Sequence, residues 1–162
     1  MIIAIVIDAV YPWSKGGREK RLFEIATRIS GFGDDVHIYT MKWWEGPKDR
    51  LENGVHLHAI APYYPQYSGH RRSIKQSVLF GLACLKMAAV PFDVVDVDQM
   101  PYFPVLAVWL VCKLRGRRMI ATWHEALRWS DWTTYAGGGH RNGSHTHRTG
   151  NRAPSRRNRR QL

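Results

Sequence analysis

Two short segments of this 162-residue chain carry residue types and spacings that could do chemistry. In the first, Gly16 and Gly17 close a loop that begins at Asp8 and run straight into a helical pattern. A helix that opens on glycines offers free backbone N–H groups and the positive end of its dipole, which suits an anion such as a diphosphate. Glycine also lets a ligand approach the backbone closely. A flexible loop ending in a helix start fits the same two glycines equally well. In the second segment, His124 and Glu125 directly follow a strand pattern. An imidazole there could hydrogen-bond a sugar hydroxyl or a developing charge, with Glu125 orienting it. The plainer alternative is a strand-end histidine satisfied by backbone.

Several familiar chemistries are excluded by spacing. The loop from Asp8 to Gly17 contains no G-x-G-x-x-G and is about twice too long for a dinucleotide fingerprint. Ser14-Lys15-Gly16-Gly17 lacks the GK[ST] ending of a P-loop. Asp93, Asp96 and Asp98 invite a metal reading, but strand alternation puts Asp96 and Asp98 on one face, with Asp93 ahead of the strand. Pairing with basic helix residues, or loop capping, is the expected role. His56 and His58 share a strand face with no third ligand, and His140, His145 and His147 lie near the C-terminus. No metal and no cofactor is expected. Cys84 and Cys112 sit in apolar, helix-like stretches without a CxxC partner, the pattern of buried free thiols in a reducing compartment.

The elements that must position these segments follow from periodicity. Ile2 to Ile7 is apolar on both faces, as in a central strand of a parallel sheet. A helix is expected over Arg18 to Ser30, with Leu22, Ile25, Ala26 and Ile29 as its core-facing stripe. Strands follow over Asp35 to Thr40 and Val55 to Ile60, separated by a polar connection from Met41 to Gly54. Pro62 to Gly69 reads as irregular. Ser73 to Ala89 reads as a second helix with Ile74, Val78, Leu82 and Leu85 on one face. A strand over Phe92 to Val97, a helix over Pro101 to Leu114 and a strand over Arg118 to Thr122 complete the pattern. Alternation of this kind predicts an open, mostly parallel, Rossmann-like α/β sheet with helices on both faces. Ligands of such sheets bind outside the carboxyl ends of the strands, which is where both chemical segments lie.

The charge is uneven. Residues 136–162 hold seven arginines and no acid, so they carry +7 of the formal +11 and leave a mildly basic body. That segment is almost devoid of apolar residues and is expected to be a disordered tail behind a domain spanning 1–135. The N-terminus lacks the positive region of a signal peptide. The run from Met100 to Cys112 is too short to span a bilayer. A cytoplasmic protein is expected, with peripheral contact at the inner membrane face left open.

Taken in order, these motifs resemble the N-terminal domain of family 4 GT-B glycosyltransferases. The resemblance rests on Ile2-Ile3-Ala4-Ile5-Val6-Ile7-Asp8-Ala9-Val10-Tyr11-Pro12, on Gly16-Gly17 with Glu19-Lys20-Arg21-Leu22 behind it, and on Asp35-Val36-His37-Ile38-Tyr39-Thr40. It extends to Phe92-Asp93-Val94-Val95-Asp96 and to Ile120-Ala121-Thr122-Trp123-His124-Glu125. It implies an acceptor-side Rossmann-like domain facing a separate donor-binding domain, and metal-free transfer from a nucleotide-sugar that retains anomeric configuration. By resemblance, Gly16 and Gly17 approach the donor phosphates and His124, the catalytic candidate, sits against the donor sugar. Lys20 and Glu125 are the remaining substrate-binding candidates. No second domain follows in this sequence. The abrupt change of composition near residue 135 resembles a frameshift or truncation, so the chain alone is expected to be inactive.

Two other readings compete. In one, a Rossmann-like binding module holds nucleic acid or an acidic membrane surface through its arginine-rich tail. Against it, the tail offers almost no aromatic side chain for base stacking. In the other, Trp43, Trp44, Tyr63, Tyr64 and Tyr67 dock a partner domain or an acceptor, unless they serve only as local packing.

Overall fold

The structure, a computed structural model, describes residues 1–68 and 71–124. Glu125 and the segment 136–162 lie outside the described residues. The elements in chain order are β1 (Ile2–Val6), α1 (Gly17–Gly31), β2 (Asp35–Met41), β3 (Asp49–Glu52), β4 (Val55–Ala61), β5 (Tyr67–Ser68), β6 (Arg71–Arg72), α2 (Ile74–Cys84), a 3-10 turn (Leu85–Ala89), β7 (Val94–Asp98), α3 (Tyr102–Arg115) and β8 (Arg118–Thr122). Six strands form one sheet in the order β3-β4-β2-β1-β7-β8, parallel except for β3. The expected open α/β architecture is therefore present.

Alternation along the central strands explains the two-sided core. In β1 and the residue that follows it, Ala4 and Val6 face one way and Ile5 and Ile7 the other. In β2, Tyr39 and Met41 join the first side and Val36 and Ile38 the second. The second side is covered by α1 through Leu22, Phe23 and Ala26. The first is covered by Phe80 and Cys84 of α2 and by Val108, Val111 and Cys112 of α3. Burying each such large apolar side chain is worth about 1.5–3 kcal/mol. Both cysteines are free and buried, and burial raises both thiols, so neither is poised to react.

Three local expectations are corrected. The α1 stripe turns slightly, so that Phe23 is buried and Ile25 is exposed. Of the stripe expected on α2, Ile74 and Leu82 point outward, Val78 is half-buried and Leu85 falls in the 3-10 turn and is exposed, because Gln76, Ser77, Phe80, Gly81 and Cys84 pack inward instead. The connection from Met41 to Gly54 contains β3, which pairs antiparallel with β4 across Asn53 and Gly54. Both turn residues have positive φ, 49° and 80°. That is the geometry Asn-Gly favours in two-residue hairpins.

The sheet order reverses beside β1, since β2 lies on one side and β7 on the other. The crevice at such a switch point, outside the carboxyl ends of β1 and β7, is where ligands of open α/β sheets bind.

Candidate functional site

Asp8 follows β1 and Asp98 ends β7, so the two carboxylates flank the switch point. Both side chains are almost fully buried. Arg18, in the first turn of α1, bridges them. Its Nη2 donates to Asp8 Oδ1 at 2.8 Å, and its Nη1 donates to Asp98 Oδ2 at 2.5 Å and to the Met100 carbonyl at 2.8 Å. Nη2 and Nε also donate to Glu19 Oε1 at 2.7 and 3.1 Å. Asp8 Oδ2 accepts from Arg72 Nη1 and Gln66 Nε2, both at 2.9 Å, and from Gln76 Nε2 at 3.3 Å. Asp8 is thus a hub that ties β1, α1, α2 and the β5–β6 hairpin together. Such a buried carboxylate is tolerated only because paired cations and donors surround it.

The charges are tightly opposed. Burial works against the Arg18 cation, but Asp8, Asp98 and Glu19 hold it above its ordinary value, so it stays charged. Burial pushes the Asp98 carboxyl up to about 7; Arg18 and Arg72 counter this, and the nearby Asp8 and Glu19 add to it.

His124 reaches the same cluster from the end of β8. Its Nε2 lies 3.2 Å from Asp98 Oδ1, although the angles fall outside hydrogen-bond geometry. Its Nδ1 lies 3.4 Å from Arg21 Nη1. A guanidinium can only donate, so Nδ1 is the acceptor and the ring proton of neutral His124 sits on Nε2, facing Asp98. Burial, followed by Arg21 and Arg18, depresses the imidazole, which favours that neutral form. His124 therefore arrives with a defined tautomer, held between an arginine and a carboxylate.

Gly16 is the N-cap of α1 and Gly17 its first residue, as the sequence indicates. The helix end is not empty, however. A Cβ at Gly16 would lie 2.0 Å from Glu19 Oε2, so the Glu19 carboxylate folds back over the cap. Glu19 is the third residue of the helix, the position from which a glutamate reaches its own N-terminus. In front of Gly17 the space is open, and a Cβ there would meet nothing within 4 Å. Lys20 is not brought to the cluster. It is exposed on α1, with Nζ 4.0 Å from Glu24.

The aromatic residues divide between packing and surface. Trp44 is buried against Trp13 and donates to the Pro47 carbonyl at 2.8 Å. Trp43 donates to the Asp8 carbonyl at 2.9 Å and meets Tyr63 edge-on. Tyr63 and Tyr67 are exposed, and Arg72 stacks over the Tyr67 ring. Beside the Asp8 hub, an open cavity of about 280 Å³ is lined by Tyr64, Tyr67, Ser73, Lys75 and Gln76. Gln76 is 1% exposed, and its Oε1 has no hydrogen-bond partner.

The other flagged residues are accounted for by local pairing. Asp93 accepts from the Ile2 N–H at 2.8 Å, and Asp96 accepts from the Thr122 hydroxyl at 2.7 Å. His56 and His58 stack with His37 and Tyr39 on one sheet face. His37 Nδ1 and His58 Nε2 lie 2.9 Å apart, with Asp35 and Asp49 at the outer nitrogens. Among the described residues, no group of three or more His, Cys, Asp or Glu is arranged to hold a metal ion.

Sequence reasoning did not single out Asp8, Arg18, Arg72, Gln66 or Gln76 as site residues. Asp8 was legible as a carboxylate directly after a buried strand, and Arg18 as a cation at the start of the next helix. Arg72 and Gln76 meet Asp8 only through tertiary structure.

An open α/β domain with a buried ionic cluster at its switch point is the class that fold and site together define. No family model matches the chain, and no curated protein matches it. Among solved structures, it is similar to the C-terminal domain of a hydrogenase from Pyrococcus furiosus, with 19% identity and a TM-score of 0.49 over 75% of this chain and 90% of that one.

Proposed function

We propose that this domain is the acceptor-side half of a GT-B glycosyltransferase of the family 4 type. In this reading it contributes to retaining, metal-free transfer of a sugar from a nucleotide-sugar to a glycan, lipid or small-molecule acceptor. The observation that carries the reading is the meeting of three strand ends at the switch point. Arg18 ties Asp8 to Asp98 there, His124 lies against Asp98, and Gly17, with open space beside it, directly precedes Arg18. The neutral His124 imidazole, its Nε2–H turned to Asp98 and its Nδ1 beside Arg21, would meet a sugar hydroxyl at this edge in place of one of those neighbours. The cavity beside Tyr64 and Tyr67 supplies an aromatic wall and polar groups for a hydroxyl-rich acceptor. The donor's nucleotide would be held mainly by a second domain.

Glu19 refines the donor side. A diphosphate approaching the α1 N-terminus meets the Glu19 carboxylate, so it binds in place of that side chain or in front of Gly17. Opposite effects on two variants test this. Gly17→Ala touches nothing in the folded chain, so stability is expected to hold or rise by about 0.4–1 kcal/mol. Its added methyl fills the ligand's approach, and affinity for UDP-glucose or GDP-mannose falls. Glu19→Gln removes the competing anion, and affinity for the same probes rises, on the order of threefold to tenfold. Calorimetric titration decides. Unchanged affinity in both variants would remove the donor phosphates from this helix end.

A further inference from the structure

We propose that the outer face of α2 and α3 is a docking surface for an anionic lipid bilayer. The two helices cover the same side of the sheet and pack closely, since a Cβ at Gly81 would lie 2.8 Å from Phe103 Cβ. With Phe80, Cys84, Val108 and Val111 turned inward, their other sides face outward together. Those sides are apolar. Leu82 of α2 and Leu85 of the 3-10 turn are exposed, and Leu106, Trp109, Leu110 and Leu114 are exposed on α3 at 62, 53, 44 and 79%. The α3 residues fall at i, i+3, i+4 and i+8, a single stripe. Soluble domains seldom leave such a stripe uncovered.

Charge identifies the occupant. Residues 74–89 and 102–118 contain no acid, but include Lys75, Lys86, Lys113, Arg115, Arg117 and Arg118. Lys86 and Arg115 are engaged with backbone carbonyls, and Arg117 lies 3.6 Å from Asp93. Lys75, Lys113 and Arg118 have no carboxylate within ion-pair distance among the described residues. A second copy of this face would bring cations against cations, so self-association is disfavoured. Nucleic acid would leave the leucines uncompensated. An anionic bilayer satisfies both features, because leucine and tryptophan enter the interface while lysine and arginine meet the headgroups. No helix of the described residues is long and apolar enough to cross a membrane, so the contact is peripheral. The proposal does not depend on the glycosyltransferase reading.

Vesicle flotation of the full chain tests it. The probes are vesicles of phosphatidylcholine with about one third phosphatidylglycerol, and vesicles of phosphatidylcholine alone. Salt at about 0.15 M keeps the headgroup attraction of the lysines and arginines in play, and a double variant on α3 separates this face from the arginines of residues 136–162. The chain is expected to float with the anionic vesicles and much less with the neutral ones. Leu106→Asp combined with Trp109→Asp lowers partitioning about tenfold or more, with an unchanged thermal melt because both side chains are exposed. Three results would overturn the proposal: no flotation at this salt, equal flotation of the double variant, or a concentration-dependent dimer that the variant abolishes without any vesicle binding.

Discussion

Asp8→Ala is expected to cost the fold about 3–5 kcal/mol, the range for removing one partner of a buried ion pair. Asp8 accepts from Arg18, Arg72, Gln66 and Gln76, and its side chain is fully buried. Alanine leaves those donors facing a small void with no anion. Arg18 keeps Asp98 and Glu19, but Arg72 keeps no carboxylate among the described residues. For a domain whose whole stability is about 5–15 kcal/mol, this is a large fraction. Urea unfolding followed by circular dichroism measures it. A loss below about 1 kcal/mol, the value of an exposed pair, would mean that the hub does not hold the site.

Arg18→Met has an effect of similar size whose pH dependence identifies its origin. Without the guanidinium, Asp8, Asp98 and Glu19 lose their shared cation, at a cost of about 3–5 kcal/mol near pH 8. Asp98 titrates in the folded chain at about 7 even with Arg18 present, against an ordinary 3.8. The folded state therefore takes up this proton first as pH falls. Its contribution to stability is gained as pH drops through about 7 and is complete below the ordinary value. In the variant, the loss of Arg18 raises Asp98 further, so recovery begins at still higher pH. By pH 5 much of the deficit should have disappeared. Unfolding free energies of the variant and the parent chain between pH 5 and 8 give the comparison. A deficit independent of pH would assign the loss to packing instead.

The main strands and helices were legible because their signals are local. Ile2 to Ile7 is apolar on both faces, and Gly31 and Gly33 punctuate the end of α1. The β3 strand was missed although Asn53-Gly54 announces its hairpin, because Asp49-Arg50-Leu51-Glu52 has no apolar alternation. An edge strand exposed on both faces, as this one is, needs none. The outward face of α2 was misjudged in the other direction. Its inward positions include Gln76, Ser77 and Gly81, chosen by the Asp8 hub and by the close approach of Phe103 rather than by hydrophobicity. Of the site, the strand ends and His124 could be found from sequence, since topology fixes where strand ends gather. The network that joins them could not. Arg18 to Asp98 spans 80 residues and Arg72 to Asp8 spans 64, separations that carry no periodic signal.

The proposed function is tested most directly by an NMR titration of the full chain with UDP-glucose and GDP-mannose in turn. One or both are expected to shift the Gly17 amide and the His124 ring resonances together, at affinities on the order of millimolar because this domain supplies only part of the donor's contacts in the proposed reading. Those shifts should vanish in Gly17→Ala while the core resonances stay in place. Shifts confined to residues remote from the carboxyl edge, or none at saturating concentrations of either nucleotide-sugar, would contradict it.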